Sequence, residues 1–154
     1  MSEPSFISPT ALLAHWQGHR KLTRRVIEAF PDGKLFTFSV GGMRPFGDMA
    51  MELLTMAVPT VNGVLSNDWQ MASRGPLAKP ELLGRWDEST AQLNTLWPQI
   101  PAARFAEKVT AFGQWPGIVH DVILYVIDNE IHHRGQGYVY LRALGVEPPA
   151  FYER

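Results

Sequence analysis

The stretch IVHDVILYVIDNEIHHRGQGYVYLRALG, residues 118–145, decides the fold of this chain. Its first half is apolar on nearly every face, and a helix of that kind lies in the centre of a protein. Its second half keeps helical spacing up to a glycine, the residue type that most often ends a helix. We therefore predict a helix from about Pro116 to Leu144, capped by Gly145, and expect it to be the most buried element.

Three amphipathic helices are predicted upstream of this one, separated by Pro- and Gly-rich segments. They run from about residues 9 to 29, 45 to 65 and 79 to 96. Ser8 is placed to cap the first helix, and Pro59 should kink the second.

The connections between the helices differ in character. Residues 34–44 alternate and predict an extended, strand-like connection, and residues 98–117 predict a long crossing connection. Four helices of this length predict an all-α protein, an antiparallel four-helix bundle in which residues 1–154 form a single domain.

Composition and charge exclude several classes of protein. The net charge of −1 leaves too few clustered cations for a nucleic-acid partner. The chain has no cysteine, so any thiol chemistry would need a small thiol as co-substrate. No apolar run reaches the ~18 residues of a membrane span, and MSEPSFIS lacks the features of a signal peptide. We expect a cytoplasmic protein without membrane association.

The charged residues of the first and last helices are interpreted as structural and not as parts of a site. The segment HRKLTRR, residues 19–25, predicts a solvated face, and the nearby His15 should lie at the surface with it. Glu130 and Arg134 form a pair four residues apart, which stabilises a helix by only about 0.2–0.5 kcal/mol.

A candidate site combines two helices. Asn129 and His133 stand one turn apart on the last helix, and Glu52 is a lone carboxylate in an apolar stripe of the second helix. A buried, unpaired carboxylate is costly and needs a cation, a histidine or a metal ion. Glu52, Asn129 and His133 together would suit a hard or borderline divalent ion. A metal-free Glu52–His133 hydrogen bond and an ordinary core histidine are the alternatives.

Four segments of the chain resemble the DinB/YfiT-like family of proposed metalloenzymes. They are MRPFGDMAMEL (43–53), FGQWP (112–116), IHHRGQ (131–136) and YLRALGVEPPAFYE (140–153). The resemblance implies a four-helix bundle, usually a dimer, that belongs to a family named for induction by DNA damage. Relatives with an assigned activity are transferases or isomerases that use zinc or nickel and a small thiol such as bacillithiol, mycothiol or glutathione.

The resemblance also implies a site of three histidines, of which this chain keeps one. His133 matches the second histidine of an H-x-x-x-H pair on the last helix, and Asn129 replaces the first. Glu52 stands at the histidine of the second helix, with Met56 as the alternative one turn further on. The metal site is therefore degenerate.

Two functions stay open at this point. One is a divalent-metal-dependent transferase or hydrolase that acts with a small cellular thiol. The other is a non-catalytic stress-response or small-molecule-binding protein that keeps the bundle without the metal. In either case the five Trp, eight Phe and six Met, together with the resemblance, predict a homodimer formed through a helix face.

Overall fold

Four long helices dominate the structure, a computed structural model that describes residues 5–73, 75 and 77–154. The helices are α1 (Pro9–Ala29), α2 (Phe46–Ser66), α3 (Lys79–Leu96) and α4 (Val119–Ala143). Between α3 and α4 lie two 3-10 turns, Trp97–Gln99 and Ala102–Ala106, and two short strands, β1 (Lys108–Ala111) and β2 (Trp115–Ile118). The prediction of an all-α four-helix bundle is confirmed.

Local capping signals fix the helix ends that the sequence predicts. The Ser8 side chain accepts a hydrogen bond of 3.1 Å from the Ala11 amide at the start of α1. After α4, Gly145 adopts φ +75°, and the Val146 amide bonds to the Leu141 carbonyl at 2.9 Å. A glycine in the left-handed region is a common way to end a helix, because it has no Cβ to strain there.

The core consists of two hydrophobic clusters, one at each end of the bundle. The first contains Phe30, Phe46, Trp86 and Tyr140. The second contains Trp16, Val64, Leu93 and Ile123. The first cluster joins the C-terminal parts of α1 and α4 to the N-terminal parts of α2 and α3. The second cluster joins the other end of each helix. The helix pairs α1/α3 and α2/α4 run antiparallel as predicted, whereas α1/α4 and α2/α3 run parallel.

The most buried helix is α2, so the prediction that α4 would be is wrong. Fourteen of the 21 residues of α2 are buried, against ten of 25 in α4. The side chains of Leu124, Tyr125 and Ile131 on α4 are 42%, 63% and 38% exposed. Within the described residues, α2 is also the one helix long and apolar enough to cross a bilayer, but 67% of its apolar window is buried in the bundle.

The connections contain the largest differences from the sequence-based expectation. Residues 34–44 form turns and bends without a strand. The strands lie instead within 108–118, where β1 and β2 pair antiparallel with Lys108 opposite Ile118. Phe112 and Gly113, with φ of +53° and +68°, form the tight turn of this hairpin. Such left-handed turn residues are typical of short β-hairpins.

Candidate functional site

A layer of polar side chains separates the two hydrophobic clusters halfway along the bundle. Helix α4 spans this layer with Asn129, Glu130, His133 and Arg134. Because side chains three or four residues apart share a helix face, Asn129 and His133 face α2, whereas Glu130 and Arg134 face α1. The layer therefore has two halves on two different faces of α4.

Glu52 of α2 is the centre of the first half. Its Oε1 accepts a hydrogen bond of 3.1 Å from Asn129 Nδ2 and lies 3.3 Å from His133 Nε2. The side chains of Glu52 and His133 are 19% and 10% exposed. The structure thus brings together the three residues that the sequence singled out. Met56 contacts the Asn129 amide through Sδ at 3.7 Å, so Glu52 rather than Met56 is the residue that meets His133.

Arg44 completes this half of the layer, and sequence reasoning missed it. Its Nη1 donates to Glu52 Oε2 at 2.7 Å, and its Nη2 lies 3.5 Å from His133 Nε2. Tyr140 holds the backbone of Arg44, because its hydroxyl donates to the Arg44 carbonyl at 2.8 Å. Arg44 stands in the loop before α2, where helical periodicity carries no information. Its place in the segment MRPFGDMAMEL was the only available signal.

The charge on Glu52 is set by opposing influences. Burial by itself would raise the pKa of this carboxyl, but the hydrogen bonds from Arg44 and Asn129 outweigh it and lower the pKa below its usual value. Glu52 is therefore an ionised carboxylate at neutral pH, paired with the Arg44 guanidinium.

Gln136 orients the imidazole of His133. The His133 Nδ1 lies 2.7 Å from Gln136 Oε1, an acceptor, so Nδ1 carries the proton. In the neutral ring this leaves Nε2 as an acceptor that points at Glu52 and Arg44. Two acceptors 3.3 Å apart repel one another unless a positive group lies beside both, and the Arg44 guanidinium is such a group.

Glu130 is the centre of the second half. It is 2% exposed, and its carboxyl accepts hydrogen bonds from Thr23 Oγ1 at 2.6 Å and Trp16 Nε1 at 3.3 Å. Burial raises the pKa of Glu130 above its usual value. The sequence predicted only a weak pair between Glu130 and Arg134, whereas both residues turn into the bundle and bind α1.

His19 and Arg134 continue this second half. Arg134 donates to the His19 carbonyl at 3.1 Å and lies 2.9 Å from His19 Nδ1, while Arg154 lies 2.8 Å from Nε2. Burial, followed by the charges of Arg134 and Arg154, lowers the pKa of His19 to about 4. His19 is thus a buried neutral histidine, contrary to the prediction of a surface position.

Arg20 is a second exception to the predicted solvated face of α1. The residue is 1% exposed, and its guanidinium lies 4.5 Å from the centre of the Trp86 ring. It donates to the Trp86 carbonyl at 3.3 Å and to the Ser89 hydroxyl. These partners on α3 allow a charge in the interior that the sequence of α1 alone would place in solvent.

A cavity of about 490 Å³ opens beside the first half of the layer. It lies between α2, the β-hairpin and the N-terminal half of α4, and Glu52 forms part of its wall. Most of its lining is apolar or aromatic. Its lining includes Met56, Thr60, Phe112, Trp115, Val122 and Tyr125.

The residues of the first half do not fit a tight divalent-metal site. Glu52 and His133 offer one carboxylate and one imidazole, while Asn129 turns its NH2 toward the carboxylate. The guanidinium of Arg44 already binds the remaining carboxylate oxygen. Across residues 5–73, 75 and 77–154, no three His, Cys, Asp or Glu side chains are grouped so that they could hold a metal ion.

The fold and this layer define a helical-bundle protein with a polar centre beside an apolar cavity. The family follows from comparison with known proteins: residues 78–154 match the DinB family. This chain belongs to the DinB family. No curated protein gives a significant match.

Two solved structures share the fold. A DinB-like protein from Bacillus subtilis superposes with a TM-score of 0.76 at 16% identity, over 93% of this chain and 99% of that one. A DinB-like protein from Bacillus cereus gives a TM-score of 0.70 at 18% identity, over 93% of this chain and 97% of that one. At this level of identity the likeness shows the fold alone.

Proposed function

We propose that this DinB-family protein binds a small organic molecule in the cavity beside Glu52 and does so without a metal ion. The observation that carries the proposal is the position of Arg44. Its guanidinium is 2.7 Å from Glu52 and 3.5 Å from His133, so a positive side chain stands where a metal shared by these two residues would stand.

The size and lining of the cavity support a small-molecule ligand. Ligand sites are typically concave, about 300–1,000 Å³ in volume, and mostly apolar with a few polar groups that fix orientation. The cavity of about 490 Å³ fits this range, and Glu52 supplies a polar group in its wall. An ion pair at one end of an apolar cavity orients a ligand without needing a reactive metal.

A metal titration tests the metal-free part of the proposal. Protein purified without chelator is titrated with zinc or nickel while its thermal midpoint is measured. A metal at a hundred times its Kd would add about 2.7 kcal/mol of stability, which raises the midpoint of a chain of this size by about 5–10 °C. We expect no such rise. A rise in the wild type that disappears in both Glu52→Ala and His133→Ala would refute the proposal.

A dye experiment tests the binding cavity itself. A neutral apolar fluorescent dye such as N-phenyl-1-naphthylamine should bind the folded protein and lose most of its binding in Val122→Trp, which fills the cavity. Thr95→Trp adds the same side chain at an exposed position of α3 and should leave dye binding unchanged. Equal binding by all three proteins would show that the dye does not use this cavity.

A metal-dependent transferase or hydrolase acting with a small thiol is the second candidate. It is favoured by the orientation of His133, whose Nδ1 is held by Gln136 so that Nε2 points inward, as in many histidines that bind metals. The Arg44 side chain is 45% exposed and would have to withdraw. For this function Arg44→Ala should bind zinc or nickel more tightly than the wild type, because the competing cation is gone.

The proposal includes a cytoplasmic location and a homodimeric state. Leu124, Ile131 and Val139 are exposed apolar side chains of α4 and support a helix-face contact between two copies, since exposed apolar surface is typical of interfaces. Within the described part of the chain, the only helix both long and apolar enough to span a membrane is committed to the core, which supports a location in water.

A further inference from the structure

The inner wall of the cavity carries a buried polar group without a partner. The side chain of Thr60 is fully buried, lines the cavity, and its Oγ1 makes no hydrogen bond. Buried hydroxyls almost always have a partner. The hydroxyl has almost no accessible surface, so it pairs with a polar group of a ligand only if the wall around Thr60 shifts when the ligand binds.

The charges around the cavity favour a positive ligand. Glu52 and Asp121 are the two carboxylates of the lining, and the lining residues that the structure describes include no Lys, Arg or His. Glu52 lies well inside the cavity wall with a side chain 19% exposed, whereas Asp121 is 62% exposed beside His120. Glu52 is thus the carboxylate that a ligand would meet in a partly desolvated setting, where a charge-assisted hydrogen bond is strong.

Aromatic side chains line the outer part of the cavity. Trp115 and Tyr125 are 57% and 63% exposed, and the rings of Phe112 and Trp115 meet edge to face with centres 6.2 Å apart. Phe112 stands in the turn of the hairpin with φ +53°, which fixes its position at this side of the cavity. These rings offer apolar faces to a flat ligand and also attract organic cations.

We propose that the cavity selects an organic amine, with its ammonium group on Glu52 and an aromatic or apolar body against Phe112, Trp115 and Tyr125. This inference rests on the proposed function and specifies its ligand class. The Arg44 guanidinium occupies Glu52 when the amine is absent, and its exposed side chain withdraws when the ammonium takes its place. Arg44 therefore competes with the ligand for one carboxylate.

Three indole compounds of similar size test the charge preference. Tryptamine carries an ammonium at neutral pH, tryptophol is neutral and indole-3-propionate is an anion. Calorimetry at low salt should show tryptamine binding more tightly than tryptophol. In Arg44→Gln, where the competing guanidinium is absent, the ratio should be at least about tenfold, as expected for one charge-assisted hydrogen bond. Indole-3-propionate should bind most weakly of the three.

Matched variants test whether Glu52 causes the preference for tryptamine over tryptophol. Glu52→Gln should remove the advantage of tryptamine over tryptophol, whereas Glu88→Gln, the same change at an exposed position of α3, should keep it. Arg44→Gln should bind tryptamine more tightly than the wild type because the competing cation is absent. Circular dichroism checks that each variant is folded.

The outcomes separate this inference from the proposed function. Equal binding of tryptamine and tryptophol, tighter binding of indole-3-propionate, or no binding of any of the three overturns the amine preference. If the dye still binds in the cavity in those cases, the proposed function stands and only the ligand class is wrong. Metal binding at Glu52 and His133 would overturn the proposed function, and the amine preference that rests on it would fall with it.

Discussion

Gly137 of α4 offers a sharp test of how the bundle is packed. A Cβ added at this position would lie 2.7 Å from Phe46 Cε2 and 2.9 Å from its Cδ2 and Cζ, closer than carbon atoms in contact can approach. The Phe46 ring cannot move away easily, because it is fully buried and stacks on Phe30 with ring centres 5.0 Å apart. We therefore expect Gly137→Ala to destabilise the protein although alanine is the better helix former.

The magnitude follows from two opposing effects. Overpacking a tight core costs about 1–3 kcal/mol, and replacing a glycine inside a helix by alanine gains up to about 1 kcal/mol. The expected net loss is about 1–2 kcal/mol, a fall in the thermal midpoint of about 3–6 °C for a domain of this size. Urea unfolding followed by circular dichroism measures the same difference independently.

Gly84 provides the matched control. It lies in the interior of α3 at an exposed position, and a Cβ there would meet no atom within 4 Å. Gly84→Ala should raise the free energy of unfolding by up to about 1 kcal/mol. If Gly137→Ala were as stable as the wild type or more stable, while Gly84→Ala behaved as expected, the close packing of Phe46 against α4 would be refuted.

Three further predictions concern the second half of the polar layer and the exposed side of α4. Because burial lowers the pKa of His19 to about 4 from 6.5, the unfolded chain binds this proton first, and stability falls as the pH drops from about 6.5 to about 4. Urea unfolding at pH 7 and pH 5 should show a smaller loss for His19→Gln than for the wild type; an equal loss contradicts this. The raised pKa of Glu130 makes its contribution to stability grow as the pH falls, and this contribution is the same in the wild type and in His19→Gln. Glu130→Ala should lose at least about 2 kcal/mol, since Trp16 and Thr23 keep buried donors without a partner, whereas Glu130→Gln should retain most of the stability; equal losses would show that these hydrogen bonds contribute little. Light scattering at tens of micromolar should show a homodimer, and Ile131→Asp on the exposed side of α4 should shift it toward monomer, so a monomeric wild type would contradict the proposed interface.

Helix positions were predictable because the signals that determine them are local. Apolar spacing located all four helices, and Ser8 and Gly145 act on backbone groups within a few residues of themselves. Glu52, Asn129 and His133 were also predictable as a group. Each lies on a stripe that enters the core, and a polar residue on such a stripe needs a partner from another helix.

The hairpin was missed for a different reason. Its strands are four residues long each, too short for alternation to show, and Pro116 within β2 argues against a strand. Gly113 is a common turn residue, but the second turn residue is Phe112, and a positive φ at a Phe cannot be predicted from the sequence.

The sequence by itself determined the helices, the all-α class and the grouping of Glu52 with Asn129 and His133, because these depend on periodicity and on single-residue chemistry. Only the tertiary structure decided which faces meet. Periodicity shows that Glu130 and Arg134 share a face with each other, but not that α1 covers that face and provides their hydrogen-bond partners. Nor does periodicity show that Arg44, which lies in a loop, forms an ion pair with Glu52. The free energy of a charged or apolar side chain depends on what lies opposite it, and that is fixed only when all four helices pack.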